Sequence, residues 1–343
     1  MNAFGTELRE QPDALRALAA YYCGGEGEAQ LAALRGMPAP LLTGMGASYH
    51  AALVMAPYFH HLGIHATVVE ATELLNYRSD ALADAARLVY LSQSGMSGEI
   101  APLVARLSPE TALIGITNDP DSTLARAAAV TLPLHAGTET YVACKTYINS
   151  LALLWLLARA VSGAWDSSER DTLTGIADHL AALIAHEPVT ATQWLDALAD
   201  APRLVFIGSG PHAATARQAA MMAAEWAKQL VLFTSVGAFR HGFIEVIQPG
   251  DGVVIFAPPG PSHASAHVLA QELTGYDVHV LLVEHGATYM PDETPTIAGT
   301  SADTEYRAPL LDIIPAQLFV HALAAHRGIL PGFRYIAKVT TAL

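Results

Sequence analysis

Short apolar runs recur along the chain, separated by longer stretches of helical character. Leu41-Leu42-Thr43 enters a Gly44-Met45-Gly46 turn, and a helical stretch from Ser48 to His61 follows. Leu204-Val205-Phe206-Ile207 enters Gly208-Ser209-Gly210 in the same way, with a helical stretch from Ala213 to Lys228 behind it. Runs this short and uniformly apolar read as strands buried on both faces, the mark of parallel βαβ units.

The pattern occurs twice. Between Gly44 and Gly208 there are 164 positions, and between Gly95 and Gly260 there are 165. Gly95 ends the run Leu88–Leu91 followed by Ser92-Gln93-Ser94, and Gly260 ends the run Val253–Ala257 followed by Pro258-Pro259. Leu113–Thr117 and His279–Val283 form a third pair. Two copies at one spacing predict a duplicated, doubly wound α/β domain. The predicted boundaries are 1–165 for a first domain with an N-terminal helix, 166–330 for a second, and 331–343 for a tail.

Composition narrows the classes. The chain has 343 residues, 52% hydrophobic and 15% charged, with a formal net charge of −14. So few charges point to large buried surfaces, as in a multi-lobed or oligomeric protein. An acidic balance argues against a nucleic-acid partner, whose phosphates call for Lys and Arg. Cys23 and Cys144 are too few for a disulfide framework or a zinc site. The polar start MNAFGTELREQPDAL is not a signal peptide. Leu151–Val161, read as the most apolar helical stretch, is short for a membrane span and contains Arg159. These features predict a cytoplasmic protein with no membrane partner.

Candidate chemistry lies at the turns. In open α/β sheets ligands sit beyond the carboxyl ends of the strands, where helix N-termini favour an anion. Ser92, Ser94 and Ser97 each offer an O–H and Gln93 an N–H, while Gly44, Gly46, Gly95 and Gly98 let the backbone approach. The second copy has Pro258-Pro259 at the matching turn, and proline has no N–H to give. A phosphate is therefore expected in the first domain only. From the residues alone the serines also fit the role of helix caps.

These motifs carry a resemblance to the sugar isomerase (SIS) domain family. Leu91-Ser92-Gln93-Ser94-Gly95 resembles its signature. The order of Glu7–Pro12, Gly46–Tyr49, Ala136–Glu139, Val142–Cys144, Phe239–Gly242, Ala308–Leu311, Pro315–Leu318 and Ala337–Thr340 extends the match nearly end to end. The chain is most similar to the isomerase half of glucosamine-6-phosphate synthase and to free-standing SIS-type glucosamine-6-phosphate deaminases. The resemblance implies two tandem SIS domains, each a flavodoxin-like, five-stranded parallel sheet. It also implies a homodimer with shared active sites. Gly46, Ser48, Ser92, Gln93, Ser94 and Ser97 would hold the sugar phosphate, and Val142, Ala143 and Cys144 would line the sugar. The synthase's glutamine-hydrolysing domain is not in the sequence, so no glutaminase activity is expected.

Three positions match family catalytic residues. Glu225 follows the apolar pair Met221-Met222, and loss of hydration would raise its pKa toward a useful range. By sequence alone it also reads as a helix charge paired with Lys228 at i+3. His241 stands 16 positions later, the family spacing, and would open the sugar ring in the partner's site. Lys338 would meet the open-chain carbonyl; without the resemblance it is an ordinary tail charge. Two departures matter: Met222 stands where the synthase has a lysine, and Glu245 resembles SIS deglycases. The expected activity is isomerisation or deamination of an amino sugar 6-phosphate. A fructosamine-type 6-phosphate deglycase and a non-catalytic sugar-phosphate sensor are the alternatives. No metal or organic cofactor is expected, since no spacing such as His-Glu-x-x-His was found.

Overall fold

A computed structural model describes residues 3–293 and 303–341. They form two compact units. Residues 10–178 and 333–341 build one; residues 3–9, 179–293 and 303–332 build the other. The chain thus passes from the first to the second within the helix Glu169–Ala185, and the tail belongs to the first.

The first unit holds β1 (Leu41–Gly44), β2 (Thr67–Glu70), β3 (Arg87–Leu91), β4 (Ala112–Thr117) and β5 (Val130–Pro133). Their order is β2-β1-β3-β4-β5, all parallel. β1, β3 and β4 are buried almost throughout, because helices cover both faces and leave no side of the strand wet. The edge strand β2 is only partly buried.

The second unit holds β6 (Leu204–Gly208), β7 (Val231–Thr234), β8 (Gly252–Phe256), β9 (His279–Glu284) and β10 (Ala287–Tyr289), in the order β10-β9-β8-β6-β7. Val205, Ile207, Val253, Ile255, Val280 and Leu282 pack with Leu269 and Leu273 to form its core. β10 runs antiparallel to β9, unlike the all-parallel sheet expected. The cause is local: His285 (φ 50°) and Gly286 (φ 79°) form a two-residue turn in the left-handed region, so the chain doubles back as a hairpin with no crossover helix.

The helix Lys145–Ser162 is buried along nearly its whole length. Another helical stretch, Thr304–His326, is long and apolar enough to cross a membrane, yet 83% of its most apolar window is buried inside the fold. That burial marks a core helix.

Arg159 explains how a charge survives in the helix Lys145–Ser162. Its guanidinium bonds the buried Glu169 carboxylate, donates to the Ala164 carbonyl at 2.7 Å and lies 3.1 Å from Asp166. It also packs over the Trp155 ring at 5.3 Å. Removing one partner of a buried ion pair strands the other, which typically costs about 3–5 kcal/mol. Arg159→Met is therefore expected to lower the unfolding free energy by about that amount, measured by urea denaturation. Arg159→Met with Glu169→Leu should recover most of the loss, since neither charge is then left unpaired.

Candidate functional site

In each sheet the strand order reverses beside the first strand, between β1 and β3 and again between β6 and β8. The connections leaving those strands diverge, and a crevice opens at their carboxyl ends.

In the first unit, β1 and β3 are paired with Gly44 opposite Leu91, so the two turns lie side by side. The approach is close: a Cβ on Gly44 would sit 2.7 Å from the Leu91 carbonyl oxygen and 3.1 Å from Ser48 Cβ. Gly46 (φ 53°) opens the helix Gly46–His61, which no side chain caps. Its first N–H groups and its dipole are therefore directed at the crevice. Ser48 lies in this first turn, half-buried, its own N–H bonded to the Met45 carbonyl at 3.1 Å.

The turn after β3 is fixed by its own atoms. Ser92 Oγ accepts from Gly95 N at 3.1 Å, and Ser94 Oγ accepts from Met96 N at 3.2 Å. Thr117 Oγ1 and Asn118 N both donate to the Gln93 carbonyl. Neither Ser92 nor Ser94 caps a helix; each uses a lone pair to shape the turn, and its O–H remains a donor. Ser97 is half-buried beyond them. Gly95 sits at φ 60°, and a Cβ there would fall 2.1 Å from Ser122 Oγ.

Beside this turn lies an open cleft of 460 Å³ at the ends of β3, β4 and β5, whose lining includes Gln93, Asn118, His135, Thr138 and Glu139. Asn118 holds its far wall, donating to the Gly137 carbonyl at 2.7 Å and accepting from Ala136 N at 2.9 Å. Burial pulls the His135 imidazole below its ordinary pKa, so it is neutral at pH 7. The buried Glu139 carboxylate accepts from Cys144 N (2.9 Å), Thr146 N (3.1 Å) and Thr146 Oγ1 (2.5 Å), and so satisfies the start of the helix Lys145–Ser162. Val142 and Cys144 are buried; Ala143 is half-exposed.

The tail returns to the same place. Lys338 Nζ lies 3.2 Å from Glu139 Oε2 and also donates to the Tyr141 carbonyl. Gly98 N donates to the Thr340 carbonyl at 3.1 Å, and a Cβ on Gly98 would lie 2.4 Å from the Thr341 oxygen. The first unit thus brings together Gly46, Ser48, Ser92, Gln93, Ser94, Ser97, the Val142–Cys144 segment and Lys338.

Glu225 and His241 both belong to the second unit. The helix Pro211–Glu225 starts where β6 ends and packs back along β6 and β7, which leaves Glu225 at the edge where the strands begin. His241 follows β7 and the helix Val236–Arg240 and is exposed. Glu225 is half-buried, while Met222 is fully buried. Lys228 Nζ bonds the Glu225 backbone carbonyl and, at 2.8 Å, that of Gly332. Glu245 is exposed.

The second crevice is occupied by protein. A Cβ on Gly260 would lie 2.6 Å from the carboxyl carbon of Glu305, whose Oε1 also lies 3.5 Å from the equivalent point on Gly210. Burial raises the Glu305 pKa, with His212 opposing. His212, the counterpart of Ser48, is fully buried and bonds Asp312 at 2.9 Å. Sequence reasoning missed Glu305, Asn118 and His135; for the last two, the signal was position just beyond a strand's carboxyl end.

Two sheets of this order, with a hydroxyl-lined crevice at the carboxyl edge of one, define a duplicated, doubly wound α/β protein. The SIS domain model matches residues 40–160 and 197–327, more than half of the chain, and the chain belongs to the SIS domain family. It is 25% identical over 336 residues to glutamine–fructose-6-phosphate aminotransferase (isomerizing) of Lactiplantibacillus plantarum, covering 94% of this chain and 55% of that protein. The Pyrococcus horikoshii enzyme of the same name is 30% identical, over 88% of this chain and 51% of its own length. The chain thus spans about half the length of these relatives. Among solved structures, tagatose-6-phosphate ketose/aldose isomerase from Escherichia coli shares the fold at a TM-score of 0.80 and 21% identity, covering 98% of this chain and 96% of that one. Glucosamine-6-phosphate deaminase from Thermotoga maritima does so at 0.80 and 19%, covering 99% of both.

Gly95→Ala is expected to destabilise the first unit. The left-handed backbone costs about 1–2 kcal/mol, and crowding Ser122 about 1–3 more. A urea-unfolding midpoint close to that of the unsubstituted protein would show that the turn can adapt.

Proposed function

We propose that this chain binds a sugar 6-phosphate and catalyses aldose–ketose isomerisation, deamination of an amino sugar 6-phosphate, or both. The observation that carries the reading is the first crevice: an uncapped helix N-terminus facing serine hydroxyls whose protons are free to donate. Gly46, Ser48, Ser92, Gln93, Ser94 and Ser97 hold the phosphate, and the 142–144 segment lines the sugar. The second crevice, with the Glu305 carboxylate in the matching place, repels an anion. The names of the relatives, which act on or are built around hexose 6-phosphates, support the substrate class.

His241 opens the ring by moving a proton between the ring oxygen and the anomeric hydroxyl. Glu225 takes the C2 proton of the open-chain aldose and returns it at C1 through an enediol or enolamine. With an amino sugar the product is a C2 imine, which water converts to the ketose and ammonia. Lys338 assists at the carbonyl or closes the site. In this reading the protein is a homodimer and His241 serves the partner's site, as the resemblance to the SIS family implies. The protein works in the cytoplasm on a small molecule, without a nucleic-acid or membrane partner.

Loss of a general base typically costs about 10²–10⁴-fold in rate. Glu225→Gln should therefore reduce kcat by that factor and leave KM nearly unchanged in assays of aldose–ketose exchange and ammonia release. Full kcat in the variant would remove Glu225 from the mechanism. A protein that binds these sugars and turns over only fructosamine 6-phosphate is a deglycase; one that binds and turns over none is a sensor. Ser94→Ala removes a hydrogen bond to a charged group, worth about 1.5–3 kcal/mol, so weaker binding should dominate its effect.

Heterodimers of Glu225→Gln and His241→Ala chains should regain activity that neither homodimer has. No recovery after proven chain exchange would place each site in a single subunit.

A further inference from the structure

The second unit carries a cluster that the proposed function does not use. His263 opens the helix His263–Thr274, and His267 stands one turn later, so both imidazoles share one face. That face meets the last residue of β9, Glu284, whose side chain is 2% exposed. His267 Nε2 lies 2.6 Å from Glu284 Oε1, and His263 Nε2 lies 3.3 Å from the same oxygen. The two rings are 4.4 Å apart. One potential ligand atom from each residue falls within 4.8 Å of the others. His263 Nε2 is buried yet makes no hydrogen bond, so a polar atom points into the cluster without a partner.

We propose that His263, His267 and Glu284 bind a divalent first-row transition metal of the zinc class. Two imidazole nitrogens and one carboxylate oxygen are the donor set such ions prefer over magnesium or calcium, which favour all-oxygen ligands. With bonds of about 2.0–2.1 Å, tetrahedral ligand atoms stand about 3.3 Å apart, the spacing already held between His263 and Glu284. Closing the site requires the His267–Glu284 contact to lengthen from hydrogen-bond to ligand–ligand distance, with the two imidazole nitrogens, already within 4.8 Å of each other, settling at the same spacing. The ion would give the unpartnered His263 nitrogen its bond and hold two imidazoles around a carboxylate that is otherwise buried. Side-chain exposures of 26% and 21% for the two histidines leave the remaining coordination open to water. The ion would staple the helix that follows β8 to the end of β9, beside the crevice that Glu305 fills. The sequence signal was a His-x-x-x-His pair; its third ligand is 17 positions further on, beyond the reach of a local motif. The site does not depend on the sugar-phosphate reading.

The test uses the full chain, stripped with a chelator and titrated with Co²⁺ and then Zn²⁺. One Co²⁺ per chain should bind with the intense visible bands of a four-coordinate nitrogen–oxygen site, Zn²⁺ should displace it, and Zn²⁺ should raise the melting temperature. His263→Ala and His267→Ala should each weaken binding by more than about 100-fold, beyond the 10–100-fold that loss of an outer-shell partner costs. His279→Ala, at the exposed start of β9, should bind as the unsubstituted protein does. His263→Gln, which keeps the side chain's bulk and polarity, serves if the alanine variant does not fold. Absence of stoichiometric binding by the unsubstituted protein, or binding unchanged in folded His263 and His267 variants, would overturn the proposal.

Discussion

Strand order constrains everything else in this protein. Placing the first strand of each half between the second and third forces neighbouring connections to opposite faces, so each sheet carries one crevice at its carboxyl edge. What differs is what fills it. In the first half the turns close on themselves through Ser92 and Ser94 and present donors. In the second, Glu305 and the buried His212–Asp312 pair take up the space. Duplication supplied two equivalent places, and a few side chains left one open with hydroxyl donors and made the other a packed junction.

Glycines set the tolerances of the first crevice. Gly44, Gly95 and Gly98 each face an atom that a Cβ would strike: the Leu91 carbonyl, Ser122 Oγ and the Thr341 oxygen. The backbone of the Ser92–Gly98 turn is thereby locked against its neighbours and the tail. An anion can be held by neutral donors only if they are aimed in advance, because flexible dipoles would spend their binding energy on being ordered. Glu139 extends the same rigidity to the Val142–Cys144 segment, satisfying the helix Lys145–Ser162 while engaging Lys338.

Much of this was legible in the sequence, because buried parallel strands are continuous apolar runs and the repeat interval is nearly constant. The runs around Leu41, Leu88, Leu204 and Val253 fall in β1, β3, β6 and β8. The hairpin to β10 was not legible, since it turns on the backbone angles of His285, and nothing in that residue type announces a positive φ. The distribution of the chain ends between the units was also hidden, as were Glu305 and Glu284. These depend on contacts between positions far apart in sequence, which no local spacing reports.

The tail's return to the first unit has a consequence for how the protein is made. Residues 10–178 leave the ribosome early, yet their last structural piece, residues 333–341, is synthesised only after the whole of the second unit. Domains ordinarily fold as they emerge, N-terminal first. Here the first unit must wait, with the Ser97-Gly98 turn and Glu139 lacking their tail partners until residues 333–341 have been made. The serine turn gains the tail beside it only then, so a translation product truncated before residue 333 would carry the turn without Lys338.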